Sequence, residues 1–174
     1  METPQRRKTV TRSFRVDQEA LEIIEADASK KKISANTLVN QLLLTYANYE
    51  HFLQHPMIRM GSAFHEASIS RLSDADAVSL GKQLAENQGK IAILSRHGAV
   101  SIEGVLSDLR WLGDYSGAMR YQETQVGARR TVTIVHNWGK KGSLFWGQFM
   151  LSLFELAEVR PKLTITEHSA VVVF

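Results

Sequence analysis

The chain has 174 residues, 44 % of them hydrophobic, with three prolines, no cysteine and a formal net charge of +3. That apolar content can form one ordinary core or two small ones, which favours a globular protein over a disordered one. The lack of cysteine excludes disulfides and thiolate metal sites and points to a cytoplasmic setting. The N-terminus has no apolar signal core and no uninterrupted apolar run nears the roughly 20 residues that cross a bilayer, so no membrane association is expected.

The charge is unevenly placed. Between Met1 and Val16, Arg6, Arg7, Lys8, Arg12 and Arg15 stand against Glu2 alone, about +4 in total, more than the net charge of the whole chain. A basic N-terminus taken alone equally fits a solvated tail. Within it, T-R-S-F-R-V at Thr11–Val16 places Phe14 and Val16 on one face and Thr11, Ser13 and Arg15 on the other, the period of a half-buried strand, with Arg12 an imperfection at its outer end. Asp17 then suits an N-cap, Glu19 the first turn of a helix, and Lys30, Lys31 and Lys32 its last turn. Leu21, Ile24 and Ala28 mark the apolar stripe of this first helix, widened by Ala20 and Ile23.

Ser34 is suited to cap a second helix from Ala35 to about Gln54, ended by His55-Pro56. Leu38, Val39, Leu42, Leu43, Leu44, Tyr46 and Tyr49 make it apolar on more than one side. One strand and two short helices cannot bury that surface alone, and the simplest remedy is a twofold partner of the same sequence.

From about Thr9 to Tyr49 the chain resembles the ribbon-helix-helix family of DNA-binding proteins, to which the Arc and methionine repressors belong. The resemblance rests on the alternating strand, the helix opened by Asp17, and Ser34-Ala35-Asn36-Thr37, similar to the family's S-x-N-S/T turn. Lys32 departs from it, standing where many members have a glycine, which implies a looser turn. The resemblance implies an intertwined β-α-α homodimer whose paired strands enter the major groove of double-stranded DNA. Thr11, Ser13 and Arg15 would then face bases, with Arg15 able to donate two hydrogen bonds to guanine. Phosphate contacts would fall to Arg6, Arg7 and Lys8, and to the start of the second helix at Ser34, Ala35 and Asn36.

Beyond residues 1–55, the stretch 56–73 reads as a partly helical linker and 74–174 as an α+β domain. Ser73 or Asp74 is expected to cap a helix through Asn87 with Val78, Leu80 and Leu84 as its apolar positions, and Lys90–Arg96 reads as a buried strand. Ser101–Gly113 reads as a helix ended by glycine, Met119–Val126 and Arg129–Asn137 as strands joined at Gly127, and Ser143–Val159 as a helix. Lys162–Glu167 and Ala170–Phe174 are strands hinged at His168-Ser169. The order βαββαβ, with one added strand, predicts a ferredoxin-like sandwich serving as a sensor or oligomerisation domain. The layout resembles that of the nickel-responsive regulators, but their site needs a cysteine, and nickel sensing is rejected. Of six histidines only His51 and His55 have a chelating i, i+4 spacing, and a solvated pair is the better reading, so no metal or cofactor is expected.

The most site-like stretch of this half is His136–Ser143, H-N-W-G-K-K-G-S, leading from a strand into a helix N-terminus. His136, Trp138, Lys140, Lys141 and Ser143 are candidates for a small anionic effector, against the plainer reading of a strand-to-helix turn. G-x-S-x-G, H-E-x-x-H and a cysteine nucleophile are all missing, so no enzyme is expected. The leading expectation is a sequence-specific transcriptional repressor acting as a homodimer or tetramer. The alternatives are an antitoxin or partition-type adaptor gripping a protein partner, and a ligand-binding α+β protein that uses its N-terminal unit only to dimerise.

Overall fold

Asp17 opens the first helix by accepting a hydrogen bond from the Ala20 N–H at 3.1 Å, supplying one of the four acceptors that a helix start lacks. This is α1 (Gln18–Lys30), followed by α2 (Ala35–Asn48), in a computed structural model that describes residues 9–48 and 61–174. The chain divides into two compact units, Met1–Glu50 and His51–Phe174. In the first, Ala28 of α1 and Leu38 of α2 are buried against the rest of the unit. Thr11–Val16 is exposed and carries no regular secondary structure, so the strand expected there does not form within one chain.

The turn between the two helices is tight despite its lysine. Lys32 takes the left-handed region at φ 55, its N–H donates to the Ser29 carbonyl at 3.0 Å, and the Ile33 N–H donates to Ala28 at 3.0 Å. These paired bonds are the Schellman closure that glycine usually makes. The looser turn implied by Lys32 is therefore corrected: the satisfied carbonyls outweigh the strain at its Cβ. Lys32→Gly should raise stability by about 0.5–1 kcal/mol, the relief of left-handed strain exceeding the entropy that glycine adds to the unfolded chain. Thermal unfolding at fixed protein concentration checks it.

In the second unit, α3 (Ser62–Ser70) lies within the stretch read as a linker and adds Ile69 to the core. Ser73 and Asp76 form a reciprocal capping box that starts α4 (Asp74–Leu84). A π-helical turn, Ala85–Gly89, carries α4 into α5 (Lys90–His97), which Gly98 ends at φ 74. The strand expected at Lys90–Arg96 is thus a helix. Ile93 alone of its residues is buried, while Ile91 and Leu94 stay exposed, a one-sided burial that a fully buried strand would not show.

Ala77, Gly81, Ala85 and Gly89 recur every four residues along this continuous rod. All four are buried, and a Cβ on Gly81 would collide with the Phe145 carbonyl, while one on Gly89 would come within 2.8 Å of Leu153 Cδ2. The stripe lets α4 and the π turn lie directly on α7 (Gly139–Leu156). The larger Val78, Leu80 and Leu84, expected as the apolar positions, are only half-buried beside it.

Helix α6 (Ile102–Tyr115) runs past Gly113, the glycine expected to end it; Tyr121 crosses there at a distance that leaves no room for a Cβ, so the glycine serves this close approach instead. Strands β1 (Arg120–Val126), β2 (Arg129–Val135), β3 (Lys162–Ile165) and β4 (Ser169–Val173) form one antiparallel sheet in the order β1-β2-β4-β3. The fold is mixed α+β, but without a strand at Lys90–Arg96 the ferredoxin-like order does not form. Val132, Ile134, Ala170 and Val172 turn one face of the sheet into the core, where Met150, Leu153 and Phe154 of α7 are fully buried. The opposite face carries no buried residue.

Candidate nucleic-acid interface

Thr11, Ser13 and Arg15 all lie exposed on the segment that precedes the Asp17 cap, as do Arg12, Phe14 and Val16 between and beside them. The structure thus brings the three expected base-facing residues onto one accessible stretch of chain. Arg6, Arg7 and Lys8 lie outside the described residues, as do His51 and His55.

At the start of α2, Ser34 Oγ accepts from the Thr37 N–H at 3.1 Å and shares a hydrogen bond with Thr37 Oγ1 at 2.8 Å. The hydroxyl is therefore engaged as a cap. The N–H groups of Ala35 and Asn36 belong to the first turn, whose donors have no acceptor inside the helix, and Asn36 is exposed. With the positive end of the helix dipole, this corner can receive an anionic oxygen through backbone donors.

The expected effector stretch is built differently from an anion site. The Trp138 N–H donates to His136 Nδ1 at 3.1 Å, so the neutral ring carries its proton on Nε2, which donates to Ser143 Oγ at 3.0 Å. Both side chains are buried, and Gly142 lets the histidine ring pack against the helix start. The pair looks like a base beside a nucleophile, but the proton sits on the wrong nitrogen for His136 to take one from Ser143. Lys141 Nζ donates to the carbonyls of Ser70 and Leu72, closing the end of α3. Of the five candidates only Lys140 is exposed, and Trp138 is buried in an aromatic cluster with Phe145 and Trp146. The stretch forms a largely buried strand-to-helix turn, with His136, Lys141 and Ser143 bonded within the fold.

Burial, with the neighbouring His168, pushes His136 down to about 4. Protonating Nδ1 would set it against the Trp138 N–H, so the folded state resists a proton that the unfolded chain accepts near the ordinary value of 6.5. A group with a depressed cationic pKa withdraws stability as pH falls between those values. The second unit should therefore lose up to about 1.4 kcal/mol per pH unit between pH 6.5 and 4 and be insensitive to this group above pH 6.5. Denaturant midpoints for wild type and His136→Gln across that range would show the slope in the first and a flatter dependence in the second.

One charged cluster escaped the sequence reading. Glu123 Oε2 accepts from Arg110 Nη2 and from Tyr121 Oη, each at 2.7 Å, and Glu123 Oε1 pairs with Arg130 at 3.2 Å. Arg130 also pairs with Glu103 at 2.5 Å. Burial raises the Glu123 carboxyl, but bonds from Tyr121 and Arg110 and the charge of Arg130 outweigh it and hold it below the usual range. Alternation along β1 was the available signal, since it puts Glu123 on the inward face with Tyr121. An open depression of about 490 Å³ lies beside them, lined by Arg110, Asp114, Tyr121, Glu123 and Gln125. With Arg110 and Glu123 bonded to each other, the arrangement ties α6 to the sheet. Among the described residues no group of three histidine or acidic side chains could hold a metal, and no helix is long and apolar enough to cross a membrane.

Comparison with known proteins gives no significant match to a family model, a curated protein or a solved structure.

Proposed function

We propose that the chain is a homodimeric transcriptional regulator, a repressor, that pairs Thr11–Val16 of two copies into an antiparallel ribbon and reads operator DNA through the major groove. The observation that carries this reading is the apolar surface that one copy of the first unit leaves uncovered. Phe14 is 73 % exposed, Val16 56 %, Ile23 58 %, Leu43 53 % and Tyr46 58 %. Side chains of this size are ordinarily buried, and a contiguous set of them marks an association surface. They belong to the N-terminal segment and to both helices, which is the distribution expected if all three elements interlock with their counterparts in a second chain.

Arg15, Ser13 and Thr11 then stand on the face turned from the shared core. A two-stranded ribbon fits the major groove, the one place where all four base pairs differ in their hydrogen-bonding edges. The capped start of α2 supplies backbone donors to a phosphate. The second unit serves as a sensor or oligomerisation domain, and the tautomer at His136 gives no support to an enzyme.

Sedimentation of the full chain, together with selection of bound fragments from a random pool of DNA duplexes, tests the reading. A dimer that enriches one sequence is expected. A chain that stays monomeric at micromolar concentration, or a pool that enriches nothing, refutes it.

A further inference from the structure

The four strands carry their charges asymmetrically. Alternation and register place Arg120, Arg129 and Lys162 on the face turned away from α7, and all three are exposed. The strands contain a single acid, Glu123, which points to the opposite face and is held there by Arg110 and Arg130. Glu167, in the turn between β3 and β4, has its carboxylate 3.5 Å from where a Cβ on Gly139 would lie, directed at the α7 N-terminus.

The remainder of the outward face mixes hydroxyls with valines, Val126, Val135, Val171 and Val173 among them. Thr133 pairs with Gln122 on one side and with Val171 on the other, and Thr131 pairs with Thr124 and Val173. Arg120 and Arg129 stand at opposite ends of the β1–β2 hairpin, about 20 Å apart at the usual rise per residue. Lys162 lies across the sheet at the Arg129 end, in register with Val173. Three cations spread over this face, with threonines and a glutamine between them and no acid among them, match the side-chain types that hold DNA phosphates. A second copy of the same face would bring like charges together, which disfavours self-pairing.

We infer that this outward sheet face binds the phosphate backbone of duplex DNA, as a contact surface separate from the N-terminal ribbon and without base preference of its own. The role does not depend on the ribbon reading, because every residue in it belongs to the second unit.

The test uses the full chain carrying R120A/R129A/K162A, with R120K/R129K as a charge-conserving control, and a random-sequence duplex as probe. Binding is titrated between about 50 and 200 mM salt, and the slope of log affinity against log salt is compared. Loss of three phosphate contacts should make the slope shallower by about 2.7, while the control keeps the wild-type slope. Unchanged near-ultraviolet circular dichroism verifies that the triple variant remains folded. A wild-type slope in the triple variant overturns the inference, and so does a wild-type chain that binds no duplex. A triple variant with wild-type DNA affinity but a smaller assembly in sedimentation overturns it too, making the face a protein interface. Arg15→Ala distinguishes the two readings: it bears on which sequence is chosen, whereas the sheet variant bears on every sequence alike.

Discussion

Arg15→Ala should leave the dimer folded and abolish its preference for one operator, losing about 1–3 kcal/mol of discrimination against a mismatched site. Arg15 is exposed and stands two residues before the α1 cap, so its removal uncovers no core. Arg7→Ala, in the basic run ahead of Thr11–Val16, should weaken binding to all sequences equally and reduce the salt slope by about 1. Gel-shift titrations of both variants on selected and scrambled duplexes, at two salt concentrations, separate the effects. Phe14→Ala supplies the contrast: it should shift the monomer–dimer equilibrium in sedimentation, because its exposed ring belongs to the surface on which the proposed dimer rests. If Arg15→Ala discriminates as wild type does, the assigned reading face is wrong.

Asp108→Ala should be the most damaging single change in the second unit, at about 3–5 kcal/mol. Its side chain is 2 % exposed and forms an ion pair with Arg96 of α5, itself 10 % exposed and stacked with Cζ 3.8 Å above the Trp111 ring. Burial lowers the Arg96 guanidinium to about 10, which still leaves it charged at neutral pH. Without Asp108 that cation remains buried with no counter-charge. Replacing both partners by apolar groups of similar volume, as in R96M/D108L, removes the unpaired charge and should recover most of the loss. Urea midpoints at constant m-value measure it, and a double variant no better than Asp108→Ala would contradict the account.

Local chemistry was the readable part of this sequence. Asp17, Ser34 and Ser73 each act at short range, through a side-chain oxygen accepting an N–H three residues on, and each starts a helix within a residue of where spacing put it. The β1–β2 hairpin announced itself in the same way, through two alternating runs around Gly127. Lys90–Arg96 forms a helix and not the expected strand, because a short apolar run fits either and the deciding fact lies elsewhere in the chain. The small residues at 77, 81, 85 and 89 fit the surface of α7, and the rod they build runs straight through that segment. The ion pairs of Glu123 and Asp108 lie beyond sequence reading for a related reason: their cationic partners, Arg110 and Arg130 for Glu123 and Arg96 for Asp108, stand on other elements and meet them only after folding. At the candidate interface, spacing picked out Thr11, Ser13 and Arg15, but a ribbon needs two chains, and its pairing is not a property of one.

The uncovered apolar surface of the first unit also has a bearing on dosage. Whatever assembly covers it is governed by mass action. Where two copies must meet before either can hold a site, occupancy at low abundance rises with the square of the number of chains in the cell. Halving expression would then cut binding about fourfold, a steepness that arises without any small molecule or second gene product.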